Sequence, residues 1–352
     1  MKTDLVKEIT LPTAVLSLDA TPDGKLLYAS CLDGGIYEIN VESGDLEVIG
    51  NHESYASGIS LSPDGATAIS AGYDGALQWH DIAARKTVRK VSAHKFWSWQ
   101  MAASRDGEWV ASVTGQYLAG GYKYEPALEQ ESSVKVFKAR TGELIHSFSH
   151  VPPVLSVAFS PDNRVIAAGN MMGEVRVWDL ASGQQLSAWT TPNFTSWGII
   201  KSHHYIGGIF ALSFTPDSNQ LLAGGMGPMR DPMAGNGKQT WQRFAWRENP
   251  VKKLDEIHEG EHGNGLMETL AFHPSSPYFI MAGRLAQGKW NIAFFDAQTG
   301  ALIHSLDVKN RVTKAVFSSD GERLFLGITL SQLKPKDGKF ADFGRIAIYS
   351  LT

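Results

Sequence analysis

Cysteine is almost absent from this sequence: Cys31 is the single one in 352 residues. No intrachain disulfide can form, and such a chain suits a reducing compartment, which points to the cytoplasm. An exported protein that has lost its leader is the alternative. Long apolar runs are missing as well. No stretch of 18 apolar residues offers a membrane span, and Met1-Lys2-Thr3-Asp4-Leu5-Val6-Lys7-Glu8 lacks the apolar core of a secretion signal. Charge is scarce, at 19% Asp, Glu, Lys and Arg, with a net charge of -4. Nucleic acid is therefore a poor fit, because binding it takes clustered Lys and Arg to displace counterions. Signatures of covalent and phosphate chemistry are also lacking. There is no Gly-x-Ser-x-Gly elbow, and the Gly- and Met-rich stretch 224–233 has no Gly-Lys-Ser/Thr ending.

What the chain does have is one phrase written seven times: an apolar alternating strand, a Ser-Pro-Asp-Gly-like turn, and another strand. The turns are Thr21-Pro22-Asp23-Gly24, Ser62-Pro63-Asp64-Gly65, Ser104-Arg105-Asp106-Gly107, Ser160-Pro161-Asp162-Asn163, Thr215-Pro216-Asp217-Ser218, His273-Pro274-Ser275-Ser276 and Ser318-Ser319-Asp320-Gly321. Their second residues are spaced by 41, 42, 56, 55, 58 and 45. The short spacings match a four-stranded propeller blade of ~40–45 residues, a unit that cannot bury its own faces alone. The fourth copy shows the unit whole. Strands are predicted at 154–160, 165–169, 173–180 and 184–189, by period-2 alternation between Gly, Asp and Pro punctuation.

Within that copy Val175-Arg176-Val177-Trp178-Asp179 resembles the WD-repeat family of β-propellers, and the resemblance runs over nearly the whole chain in divergent form. The Trp position reads Ile39, His80, Phe137, Trp178, Trp246, Phe295 and Tyr349 around the ring, followed by Asn40, Asp81, Lys138, Asp179, Arg247, Asp296 and Ser350. The family's structural hydrogen-bond network implies a role for Asp74, Ser70 and His52 in the second blade, with His80 where Trp belongs. The resemblance implies an all-β fold, a seven-bladed β-propeller with four antiparallel strands per blade, and a protein or peptide partner.

The two ends complete each other. The last strand, 344–351, has no fourth strand behind it, and residues 4–10 form an orphan strand in front of the first blade. Pairing them closes the ring and removes exposed edges at the seam. The predicted blades are then 13–50, 55–92, 97–150, 154–190, 209–257, 266–307 and 311–352 plus 4–10, in one domain.

Extra length is sorted by face. Additions at 115–132, 224–240, 284–290 and 329–343 join second to third strands, and those at 190–208 and 257–265 join one blade to the next. Strand ends alternate faces in an up-and-down blade, so all six share one face. Long loops on one end of a rigid scaffold are where recognition is usually built. They and the neighbouring turns are rich in aromatics, which are favoured interface anchors. Trp97, Trp99, Tyr122, Trp197, Tyr205, Trp241 and Trp290 are the expected binding residues. Packing of the long loops on one another explains any one of them equally well.

A second constellation is His258-Glu259-Gly260-Glu261-His262 with His203-His204. Imidazoles and carboxylates at this density are donors for Zn²⁺ or another divalent metal, with His203, His204, His258, Glu261 and His262 as ligands. The spacing matches no helical zinc motif, and a solvated polar loop is the plainer reading. A non-catalytic binding platform without a cofactor is thus the favoured function. A metal-binding or enzymatic propeller is the alternative, and a glycan stacked on exposed tryptophans is a third.

Overall fold

The computed structural model describes the chain except residues 116, 119–124, 127–128, 198–204, 232–235 and 331–341; at 117–118, 125–126, 195–197, 205–206, 229–231 and 236 only the strand backbone is described. Every regular element among the described residues is a β-strand. Seven inner strands, Val15–Ala20, Ala56–Leu61, Ser98–Ala103, Val154–Phe159, Tyr205–Phe214, Asn264–Phe272 and Arg311–Phe317, each begin a blade of four antiparallel strands. Neighbouring inner strands touch all the way round, blade 7 against blade 1 included, so the blades form a closed ring.

The repeated turn is chemically specified. In blade 2 the Ser62 hydroxyl donates to Asp64 at 2.5 Å, while the same carboxylate oxygen accepts the Ala66 amide at 3.0 Å. The Thr67 amide then returns to Ser62 Oγ at 3.0 Å. Gly65 closes the turn at φ +68°, a left-handed conformation that glycine takes without a Cβ penalty. Asn163 and Ser218 hold the equivalent place at φ 58° and 62°. Blade 6 has no Asp here. His273 replaces the device, its Nδ1 accepting the amides of Ser275 and Ser276 at 3.2 and 2.8 Å.

The ring closes through the first strand. Thr3–Leu11 pairs antiparallel with Gly344–Leu351, from Thr3 opposite Leu351 to Leu11 opposite Gly344. Ile9 and Leu11 bury their side chains in one cluster with Val15, Leu18, Phe325, Ile346 and Ile348. The joint therefore unites blades 7 and 1 by both ladder and core.

Inner strands carry two features that shape the channel. Each contains a register shift at its top, placing Leu16, Ser57, Trp99, Leu155, Phe210, Glu268 and Thr313 at bulges, which re-aim side chains. Each also turns a free edge toward the channel, and side chains of the preceding blade cap it. Asp19 accepts the Leu61 amide at 2.8 Å and Gln100 Oε1 accepts the Val157 amide at 2.9 Å. The hydroxyls of Ser57 and Thr313 donate to the carbonyls of Ser98 and Val15 at 2.6 and 2.7 Å.

Two sequence readings need correction. Strands continue through much of what reads as loop: Leu221–Asp231 and Asn236–Ala245 form one long hairpin across 224–240, and the second strand of blade 6 runs to Gln287. Gly237 and Lys238 of that hairpin pair with Gly265 and Asn264, joining blades 5 and 6 into a single sheet. The Trp position of blade 5 is also Phe244, not Trp246. Phe244 pairs with Leu221 as Trp178 pairs with Ile166, which puts Ala245 rather than Arg247 at the Asp position. Trp246 fills the slot of Leu180 instead, and its large indole makes the register easy to misread by two.

Candidate binding site at the channel mouth

Strand alternation puts the second-to-third-strand turns and the inter-blade connections on one face. On that face five aromatic rings from blades 2 and 3 and their connections form a continuous ladder. Phe96 and Trp97 stack at 4.7 Å and 22°, Trp97 and Tyr73 at 4.8 Å and 9°, and Tyr55 leans on Tyr73 at 5.5 Å. Trp99, carried inward by the bulge of its strand, stacks on Tyr73 at 5.7 Å. Offset stacking of this kind stabilises each pair by about 0.5–1.5 kcal/mol beyond area burial. Yet the ladder is not sealed: Trp97 is 39% exposed and Tyr55 46%.

Polar groups frame the rings. Arg311 grips Glu268 with two hydrogen bonds of 2.7 Å each. Burial raises the Tyr73 phenol pKa, Arg311 opposes that rise, and Tyr55 and Glu268 add to it, so the phenol sits within the field of this ion pair. Lys90 pairs with Glu53 at 2.6 Å and reaches Asp74 at 3.5 Å. The arrangement is an apolar strip with a satisfied, charge-balanced rim, which is the anatomy of a recognition surface.

Beneath the strip lies a chain of hydrogen bonds in Ser-His-Asp order whose serine is sealed from solvent. Asp74 Oδ1 lies 2.9 Å from His52 Nδ1, and His52 Nε2 lies 2.8 Å from Ser70 Oγ. A Ser-His-Asp order of this kind activates a serine only where substrate can reach it. Ser70 is fully buried, and its hydroxyl also bonds His80 Nε2 at 2.8 Å. His80 in turn bonds Thr87 through Nδ1 at 3.0 Å. Burial pushes the His80 pKa down to about 4, with the neighbouring His52 adding to it. For Asp74 burial acts upward, but the hydrogen bond and charge of His52 prevail and hold it at about 2. The network ties the inter-blade connection to the blade.

The expected residues scatter. Trp97 and Trp99 meet in the ladder. Trp241 and Trp290 do not: they are 0% and 3% exposed, wedged against Phe295 in the core between blades 5 and 6. Trp241 lies inside a strand rather than a loop, and Trp290 spends its indole N–H on the Glu261 carbonyl at 3.0 Å. Trp197 and Tyr205 are paired strand residues, with side chains outside the described set. Tyr122, His203 and His204 lie outside the described residues altogether. His258 approaches Asp255 and Glu261 at 3.5 and 3.6 Å, whereas His262 approaches Glu259 at 3.5 Å. The two imidazoles are divided between different carboxylates, and among the described residues no three His, Cys, Asp or Glu side chains converge as metal ligands.

Tyr55 and Tyr73 were missed, since attention to long loops passes over blade 2 and its minimal turns. The signal that would find them is positional: Tyr55 immediately precedes the inner strand of blade 2 as Trp97 precedes that of blade 3, and Tyr73 follows the second strand of blade 2 at the rim of the same face.

The model of the WD domain, G-beta repeat, matches residues 142–179, which run from the last turn of blade 3 to Trp178-Asp179. These residues carry a WD repeat, in a chain folded as a β-propeller that is similar to several WD-repeat proteins. Among similar proteins is the cell division cycle 20.1 protein of Arabidopsis thaliana, a cofactor of the APC complex. It is 24% identical over 59% of this chain and 50% of its own length. The meiotic recombination protein rec14 of Schizosaccharomyces pombe is 27% identical over 52% of the propeller and 57% of its own length. The small ribosomal subunit protein RACK1 of Candida albicans is 28% identical over 37% and 38% respectively. The propeller spans about half the length of the curated relatives it matches. No helix among the described residues is long and apolar enough to cross a membrane.

Proposed function

We propose that the propeller is a non-catalytic binding platform that recognises a protein or peptide partner through the face bearing 115–132, 190–208, 224–240, 257–265 and 329–343. The aromatic ladder is its anchor. The observation that carries this reading is the stacked but open strip Phe96–Trp97–Tyr73–Tyr55. Both faces of the Trp97 ring are occupied, by Phe96 and Tyr73, so a sugar has no face of Trp97 to stack on. What remains is a ridge of ring edges ending in the exposed Tyr55, and this suits side chains of a protein better than a glycan. Two relatives support the same direction by their names, one a cofactor of a complex and the other a ribosomal subunit protein.

The test is a quantitative pull-down with the full chain. Trp97→Ala and Tyr55→Ala are expected each to reduce capture of the bound partner at least about tenfold, as interface anchors do. Asn219→Ala, on the opposite face, should capture as wild type does. Equal capture of the same partners by all three variants, with unchanged melting temperature, would overturn the assignment of the face.

A further inference from the structure

Between blades 2 and 3, toward the short-turn face of the ring, opens a groove of about 670 Å³. Its floor is apolar, because Ile69 and Trp79 face blade 3 and belong to the core the two blades share. Two exposed apolar residues stand over that floor. Pro63 comes from the turn of blade 2 and lies against Gly107, where an added Cβ would meet its Cδ at 2.5 Å. Val88, 55% exposed, comes from the outer strand Lys86–Ser92. Trp79 pairs with Arg89 and His80 with Thr87, so Val88 is the extra residue of a bulge that re-aims it. Leu186, Leu254 and Ile303 are the matching bulge residues of blades 4, 5 and 6, and all are exposed. An exposed aliphatic at this place is therefore common around the ring. The charge beside it is particular to blade 2.

Arg89 lies over the Trp79 ring at 5.5 Å and donates to the Arg140 carbonyl at 2.8 Å. Among the described residues neither Arg89 nor Arg140 has a carboxylate partner, and both are exposed. In blade 5 the place of Arg89 is held by Asp255, which pairs with Arg243 directly opposite at 2.8 Å. That blade neutralises itself where blade 2 does not. The local sequence explains the difference: residues 82–105 hold six cations and no Asp or Glu, in a chain of net charge -4. Arg85 and Lys90 find carboxylates outside this run, at Glu38 and Glu53, which leaves Arg89 without one. Lys138, also in the wall, turns away over Trp109 at 6.0 Å. The inner lip of the groove is acidic. Asp64, Asp106 and Glu108 are exposed on the two turns, and each aspartate commits only one oxygen to its own turn. The groove is thus polarised along the blade radius, basic at the rim and acidic toward the channel.

We propose that this groove binds an extended segment of a partner protein carrying an acidic, an aliphatic and a basic side chain at alternate positions. The acid meets Arg89 and Arg140, the aliphatic side chain packs between Val88 and Pro63, and the base meets Asp64 and Glu108. Neighbouring strands are about 4.8 Å apart, so the outer strand lies about 10–14 Å from the turns of the inner ones. Four residues of extended chain span about 13 Å, and alternate side chains point the same way. Side chains at i, i+2 and i+4 therefore reach all three parts at once. The acidic lip repels a uniform polyanion, and the basic rim repels a uniform polycation. Charges at both ends set the register, and the apolar centre supplies area burial. The groove lies on the opposite face from the aromatic ladder and works independently of it.

Labelled peptides are the probes, titrated with the full chain at low ionic strength and read by fluorescence anisotropy. Glu-Ser-Leu-Ser-Lys and Lys-Ser-Leu-Ser-Glu, each flanked by glycines, cover both chain directions. One of them should saturate and bind at least about tenfold more tightly than Glu-Ser-Leu-Ser-Glu, Lys-Ser-Leu-Ser-Lys or its own form with serine for leucine. Val88→Asp should lower that affinity by a similar factor, whereas Trp97→Ala should leave it unchanged. In the double variant Arg89→Glu with Arg140→Glu, the preference should pass to Lys-Ser-Leu-Ser-Lys, a gain that loss of structure does not produce. The melting temperature of each variant establishes that it is folded, and Val88→Asp serves if the charge-reversed protein is not. Failure of both mixed peptides to saturate, equal binding of all the peptides to wild type, or an unaltered preference in the charge-reversed protein would each overturn the proposal.

Discussion

Deleting residues 1–11 will lower the melting temperature by about 10 °C or more and expose apolar surface along blade 7. The deleted strand supplies the whole outer ladder of that blade, from Thr3 opposite Leu351 to Leu11 opposite Gly344. Burial of Ile9 and Leu11 alone contributes about 1.5–3 kcal/mol each, and the hydrogen bonds of a complete strand go with them. For a protein of this size each kcal/mol is about 2 °C. The loss is not confined to one blade. The amine of Lys7 reaches the Val41 carbonyl of blade 1 at 3.0 Å, and Thr3 bonds His304 of blade 6 at 2.9 Å. Removing the strand also uncovers Gly344–Leu351 as a free edge, which templates pairing with other chains. Differential scanning calorimetry and light scattering read both effects. An unchanged melting temperature in a monomeric truncated protein would contradict the closure.

The second large effect is acid sensitivity. Burial keeps three histidines neutral in the folded state: His80 is pushed down to about 4, His150 to about 3, and His94 is also lowered. Nearby charges reinforce this, Arg176 at His150 and Lys135 at His94. In the unfolded chain each takes up a proton near pH 6.5, so below that pH the unfolded state binds more protons and stability falls. The sign is thus loss on acidification, beginning at about 6.5 and continuing to the folded-state values near 4 and 3. Each such histidine costs about 1.4 kcal/mol per pH unit, and three together cost about 4. Asp74, held at about 2, adds a further loss below the ordinary carboxylate range, whereas Asp19, raised by burial, works the other way. The loss then reaches about 6 kcal/mol at pH 5 and about 10 kcal/mol at pH 4, enough to exhaust a stability in the lower half of the usual 5–15 kcal/mol range. Urea unfolding at pH 7.5, 6.0 and 5.0 measures the slope. His80→Phe should be less stable at pH 7.5, since Ser70 and Thr87 lose a partner, yet its slope should be about one third shallower. Equal unfolding free energies at pH 7.5 and 5.0 in the wild type would refute the account.

The architecture was legible in the sequence because one turn needs particular atoms. A hydroxyl, a carboxylate two residues on and a residue tolerant of positive φ recur together, and only the His273 turn breaks the wording. Ring closure was legible for a related reason: an unpaired strand at each end had a single economical solution. The site was read less well. Residue type shows that Trp241 and Trp290 are anchors of something, but not whether the partner is another molecule or the next blade. That distinction depends on whether strand pairing continues past a glycine-rich stretch, and Gly224, Gly225 and Met226 do stay in the ladder with Trp241, Thr240 and Gln239. Conversely, Tyr55 and Tyr73 lie on the shortest turns of the chain, where nothing in length or composition marks them. Their importance comes from adjacency to Trp97, a contact between separate blades.

The sheet shared by blades 5 and 6 makes the ring mechanically unequal. Most joints rest on side-chain packing, with isolated capping hydrogen bonds along the channel, and the latch adds a ladder within blade 7. Between blades 5 and 6, backbone pairing of Gly237 with Gly265 and Lys238 with Asn264 splints two blades into one plate. A ring so built breathes at its unsplinted seams. The amide of Gln239, donated to the Gly263 carbonyl at 3.0 Å, and that of the paired Gly265 will then exchange with solvent more slowly than amides at the other seams, and the two blades will behave as one slow unit while their neighbours flicker.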